Sequence, residues 1–147
     1  MCSLGSVDID QIKHLLVSFD GTRVAESGGD LFALYDPRGD LPPERQLPWA
    51  TVVTHDDPYD SSSELDRDGV FRLNIGLTRD RFRELVAPGR DHDPAALDTL
   101  IPHPVYGGQH WVAVLNPDRT WPLARALLDE AHAFAARKFA NADRRRG

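Results

Sequence analysis

Between Thr22 and Gly76 the chain offers four strand-like runs joined by connections too short for parallel crossovers, and that spacing constrains the fold more than any other feature. Thr22 to Ser27 and Asp30 to Tyr35 flank Ser27-Gly28-Gly29-Asp30, where the Gly-Gly pair supplies the positive φ values of a tight hairpin turn. Trp49 to Thr54 is a third run. Gly69 to Gly76 is a fourth, with Phe71, Leu73 and Ile75 on one face and Val70, Arg72 and Asn74 on the other. A fifth, from about Trp111 to Leu115, is apolar on both faces, as in a strand that is central or covered on both sides.

Helical signals surround these runs. Asp8 caps a first helix, Gln11 completes a capping box three residues on, and Ile9, Ile12, Leu15, Leu16 and Phe19 form one stripe. Thr78 caps a second helix through about Val86. Asp93-Pro94 begins a short third that ends near Ile101. The last and longest begins at Thr120, with Leu123, Leu127, Ala131 and Phe134 as its buried stripe. The order predicts an α+β fold: a mostly antiparallel sheet of about five strands, helices packed on one face, and a long C-terminal helix.

A chain of 147 residues makes one domain, placed at residues 8–141 between a flexible leader (1–7) and a basic tail (142–147). No apolar run approaches the roughly 20 residues of a membrane span, and residues 1–7 lack the pattern of a secretory signal. The single cysteine, Cys2, excludes an internal disulfide and a thiolate metal cluster, so the cytoplasm is the expected compartment. Asp36 to Pro48 carries four prolines, which forbid a ladder, and reads as a lid or edge flap. The net charge of −6 is uneven. His55 to Asp68 sums to −5, with Asp66-Arg67-Asp68 expected to form a turn with a local ion pair, whereas Arg137 to Gly147 sums to +4. A basic cluster confined to a terminal helix and tail argues against nucleic acid as partner.

Chemistry concentrates in Pro102 to Trp111, which gathers His103, Tyr106, Gln109, His110 and Trp111 around Gly107-Gly108. Imidazoles titrate near working pH, so His103 or His110, with Tyr106 as partner, rank above Asp98 or Glu64 for proton transfer. Opposite them, Arg72 would hold a carboxylate or phosphate in bidentate fashion and Asn74 would orient an amide or hydroxyl, with Trp111 and Gln109 as further ligand contacts. The alternative is a Zn or non-haem Fe site built from His103, His110, His55 and Asp56, although the chain has no H-E-x-x-H, no H-x-H and no paired cysteines. Ser61 to Ser63 lack the glycines of a nucleophile elbow, and the acidic loop lacks the ligand spacing of an EF-hand.

Four segments carry a family resemblance: Leu47 to Thr54, Ser63 to Gly76, Ala96 to Tyr106, and Gln109 to Pro117. They resemble an uncharacterised actinobacterial family of small proteins, a domain of unknown function. The helix–strands–helix order and the Trp-Val…Asn-Pro strand before a long last helix also look like the MmcQ/YjbR family, which has an α+β fold with a concave sheet and includes a mitomycin-resistance-associated protein. That likeness implies drug binding, resistance or natural-product tailoring. The expectation is therefore a small-molecule-binding protein or cofactor-independent enzyme of secondary metabolism, without a membrane partner and compatible with a homodimer. A metal-dependent enzyme and a non-enzymatic interaction module are the alternatives.

Overall fold

The computed structural model describes residues 7–86 and 91–146. Residues 1–6 of the expected leader lie outside the described residues, and Val7 already packs against the core. Strands β1 (Thr22–Ser27) and β2 (Asp30–Tyr35) form the expected hairpin, with Gly28 and Gly29 at φ +59° and +91°. They continue into β3 (Ala50–Val53), β4 (Arg72–Gly76), β5 (Leu100–Pro102) and β6 (Trp111–Leu115). Among the described residues the sheet has six strands, all neighbours antiparallel, in the order β1-β2-β3-β4-β6-β5.

The additional strand, β5, replaces the end of the expected short helix. Asp93 makes only a turn, its carbonyl and carboxylate accepting from the N–H groups of Ala96 and Ala95. Asp98 then adopts φ +51°, a conformation no α-helix contains. The chain beyond it pairs with β6 instead, and Pro102 is tolerated because it ends an edge strand.

Register puts Leu31, Ala50, Val52, Leu73, Ile75 and Val112 on one face, all fully buried. Helix α1 (Ile9–Ser18) lays Ile12 and Leu16 on this face, its start fixed by the Asp8–Gln11 capping box. Helix α2 (Arg79–Leu85), capped by Thr78, adds Phe82 and Leu85. Helix α3 (Trp121–Arg146) buries Ala124, Leu127, Leu128 and Ala131. Leu127 and Ala131 are buried as expected, whereas Leu123 is 36% exposed and Ala124 takes the inward position beside it. The helix also runs through most of the residues read as a basic tail. The Pro-rich loop is fastened to it: Arg38 pairs with Asp143 at 2.7 Å, and the guanidinium groups of Arg38 and Arg45 lie over Phe139. No helix among the described residues is long and apolar enough to cross a membrane.

With the helices on one side, loops shape the other. The acidic segment folds over the β6–β5 end, burying Leu65 among Ile101, Ala113 and Leu115. Burying that leucine contributes roughly 2 kcal/mol. The Asp56 carboxylate accepts from the Leu65 N–H at 2.8 Å. Arg67 donates to the carbonyls of Ser63, Glu64 and Ala95 rather than to Asp66 or Asp68, so the expected local ion pair gives way to backbone bonds that hold the loop down.

Asp98 holds the turn that leads into α3. Its carboxylate accepts from the N–H groups of Asp118, Arg119 and Thr120 and from the Thr120 hydroxyl. Burial alone would raise its pKa, but these bonds together outweigh that and hold it down at about 2. Its contribution is therefore complete above the ordinary carboxylate range and is lost as pH falls through 2. Asp98→Ala is expected to cost roughly 1–2 kcal/mol in urea unfolding at pH 7, and its gap from wild type should narrow between pH 4 and pH 2.

Candidate functional site

Alternation along β3, β4 and β6 presents Thr51, Val53, Arg72, Asn74, Gly76 and Trp111 on the face away from the helices. Phe32 of β2 continues this face. Over it lies a cleft of about 780 Å³. Its walls come from the Pro-rich loop (Leu47, Pro48, Trp49), the acidic loop (Pro58, Tyr59, Asp60), the turn after β5 (His103, Val105, Tyr106) and the outer half of α3 (Phe134, Lys138). Gly76 is required here: a Cβ would come within 2.9 Å of Trp111 Cε2, so its absence lets the indole lie against the strand.

The floor is a buried polar network centred on Arg72, which is 0% exposed. Its Nε donates to Asn74 Oδ1 at 2.8 Å. Nη1 donates to Asp60 Oδ1 at 2.9 Å and to Ser63 Oγ at 3.0 Å, and Nη2 donates to Asp60 Oδ2. The bidentate carboxylate that Arg72 was expected to hold for a ligand is thus supplied by the chain itself. Asn74 is committed as well, donating through Nδ2 to Thr51 Oγ1 at 2.9 Å. Hydrogen bonds from Arg72 hold the Asp60 carboxyl below its ordinary range against the opposing effect of burial.

The fifth Arg72 N–H faces His103, whose Nε2 lies 3.2 Å from Nη2. The other ring nitrogen, Nδ1, accepts from the backbone N–H groups of Val105 and Tyr106, each at 3.0 Å. Burial, and then the charge of Arg72, lower the His103 pKa to about 4, so the ring is neutral near pH 7. A neutral imidazole accepts at one nitrogen only. His103 can therefore accept from Val105 and Tyr106 through Nδ1 or from Arg72 through Nε2, according to its tautomer. A pKa near 4 suits His103 to hydrogen bonding more than to proton transfer at neutral pH.

The remaining candidates divide. Tyr106 and Gln109 line the cleft with Trp111, and the Tyr106 ring lies 5.0 Å from that of His103. His110 turns elsewhere: its backbone is left-handed, at φ +71°, and its ring packs on Phe82 at 5.6 Å. The two histidines are therefore not partners. His55 sits at the end of β3 beside Thr54 and Asp30, and Asp56 is occupied with the backbone of Leu65. The set His103, His110, His55 and Asp56 is not assembled, and among the described residues no three His, Cys, Asp or Glu side chains are grouped to hold a metal ion. Sequence reasoning missed Asp60, Ser63, Thr51 and Lys138. The signal for the first was present: an arginine in mid-strand needs a counter-charge when buried, and the acidic loop immediately precedes it.

These features define a class, an antiparallel α+β sandwich with a ligand-sized cleft on the sheet face that its helices leave free. The chain belongs to the family of unknown function DUF6194, whose model matches residues 7–145. No curated protein and no solved structure matches it.

The lowered His103 pKa has a consequence for stability. The ordinary value is 6.5, so between that value and about 4 the unfolded chain binds a proton that the folded chain refuses. The His103 contribution is complete above pH 6.5 and declines as pH falls toward 4, by up to about 1.4 kcal/mol per unit. Urea unfolding at pH 7, 6 and 5 should show a steeper decline in wild type than in His103→Gln; parallel declines would contradict the assignment.

Proposed function

We propose that this protein binds a small, largely aromatic molecule in the cleft over β3, β4 and β6. The observation that carries the reading is the clustering of exposed apolar side chains at that one place. Leu47, Tyr59, Val105 and Tyr106 are 78%, 90%, 43% and 52% exposed, and all four line the cleft. A contiguous apolar rim around a concave site marks a binding surface, whereas scattered exposed leucines do not. The volume falls within the range of small-molecule sites.

Trp111, Trp49 and Phe32 would flank the ligand, with offset or edge-on ring contacts. His103, 5% exposed and with both ring nitrogens facing protein donors, would hold in place the turn that carries Val105 and Tyr106 against the ligand. Arg72 and Asn74 act as positioning residues in this reading: they hold His103 and Asp60 in place and do not grip the ligand themselves. What supports a setting in secondary metabolism, as a resistance or tailoring protein, is the resemblance of the sequence to MmcQ/YjbR, together with a lining suited to aromatic natural products. A cytoplasmic location and an actinobacterial origin belong to the same proposal.

A thermal-shift screen of aromatic metabolites tests the reading. A ligand at 100 times its Kd adds about 2.7 kcal/mol, which raises the Tm of a domain this size by roughly 5–10 °C. Trp111→Ala should weaken that ligand about tenfold, through lost ring contact. Ligands whose affinity is indifferent to Trp111 would place binding outside the cleft and contradict the proposal.

A further inference from the structure

Taking the cleft as a ligand site, its charges are segregated along its length. Asp30, Asp57 and Asp60 line the end where β3 leaves the sheet and β4 enters it, and Arg72 is neutralised there by Asp60. The opposite end, where the Gly76 N–H donates to the Trp49 carbonyl, holds a cation of another kind. Lys138 projects from α3 into both the main cleft and a smaller side cavity behind Leu47, Pro48 and Trp49. Its ammonium lies 4.3 Å from the centre of the Phe134 ring. Burial lowers its pKa and no carboxylate offsets that effect. Lys138 as a whole is exposed, and among the described residues its ammonium has no carboxylate within ion-pair distance, in a protein whose net charge is −6. Trp49 is 4% exposed and lines both cavities, and its ring packs on Phe19 and His132, which makes it a rigid wall at this end. Along the main cleft a cation stands at one end and acids at the other, while the side cavity adds Glu44 and Arg45.

We propose that the cleft takes an aromatic anion, with its oxyanion group met by Lys138 beside Phe134 and its ring system directed along β4 toward Trp111 and His103. The acidic end excludes the reverse orientation, since a carboxylate or sulfonate there would face Asp30 and Asp57. The span from Arg72 to Gly76 is roughly 13 Å at strand spacing, room for two or three fused or linked rings. Lys138 is on this account a specificity determinant: it selects acids over neutral molecules of the same shape.

Two dyes with aromatic bodies separate the possibilities: anilinonaphthalene sulfonate, an anion, and Nile red, which is neutral. Lys138→Met is expected to weaken the anion about tenfold, the loss of one charge-assisted bond, and to leave Nile red within about twofold. Lys138→Arg should restore most of the anion's affinity. Arg144→Gln, which removes the same charge from the far end of α3, should leave both dyes unaffected. Equal losses of both dyes in Lys138→Met, or an equal loss of the anion in Arg144→Gln, overturns the proposal. Binding of Nile red with the anion indifferent to Lys138 overturns this proposal and spares the cleft as a ligand site. If neither dye binds, the ligand reading of the cleft fails and this inference fails with it.

Discussion

The structure on the open side of the sheet depends on the ion pair between Arg72 and Asp60. Arg72 begins a central strand and is fully buried, while the Asp60 side chain is 15% exposed. A guanidinium taken out of water without a partner would cost several kcal/mol. The chain resolves this by folding the acidic loop back over the strand that follows it, so that Asp60 and Ser63 reach Arg72 from above while Asn74 meets it from the same strand. Leu65 anchors the loop in a small apolar cluster. The pair thus sets where the loop lies, and the loop is one wall of the cleft. It also decides that Arg72 is a structural cation, leaving recognition to residues around it.

The cleft itself follows from asymmetry. All three described helices pack on one face of the sheet, so the other is covered only where loops fold onto it and where the outer half of α3 borders it. The acidic loop covers the β6–β5 end, and the Pro-rich loop, pinned to α3, borders the other. Between them the sheet face stays accessible, polar in its floor and aromatic in its walls. His103 connects the two parts: Nδ1 fixes the turn that carries Val105 and Tyr106, and Nε2 faces the Arg72 network.

Much of the fold was legible because local and tertiary demands agreed. The capping box at Asp8, the Gly28-Gly29 hairpin and the β6 run each encode an element within a few residues, and each formed as expected. Residues 93–102 misled because Asp93-Pro94 is a good helix start, and nothing local reveals that Asp98 is drawn away to hold the turn before α3 or that β6 has a free edge to pair. At the site, the polar face of β4 could be read from alternation, and Arg72, Asn74, His103, Tyr106, Gln109 and Trp111 do converge on one cleft. The role of Arg72 could not be read, because it turns on Asp60, twelve residues away across a loop whose path is a tertiary property. The separation of His110 from His103 depends on a single left-handed residue, His110 itself.

A double-mutant cycle on Asp60→Ala and Arg72→Met, followed by urea unfolding at pH 7, tests the central claim most directly. If the buried pair organises the open face, Asp60→Ala alone is strongly destabilising because it strands a buried charge. The double variant should then recover part of that loss, with a coupling of roughly 2–3 kcal/mol. Losses that add to within about 0.5 kcal/mol would show the two side chains to be independent and contradict the account.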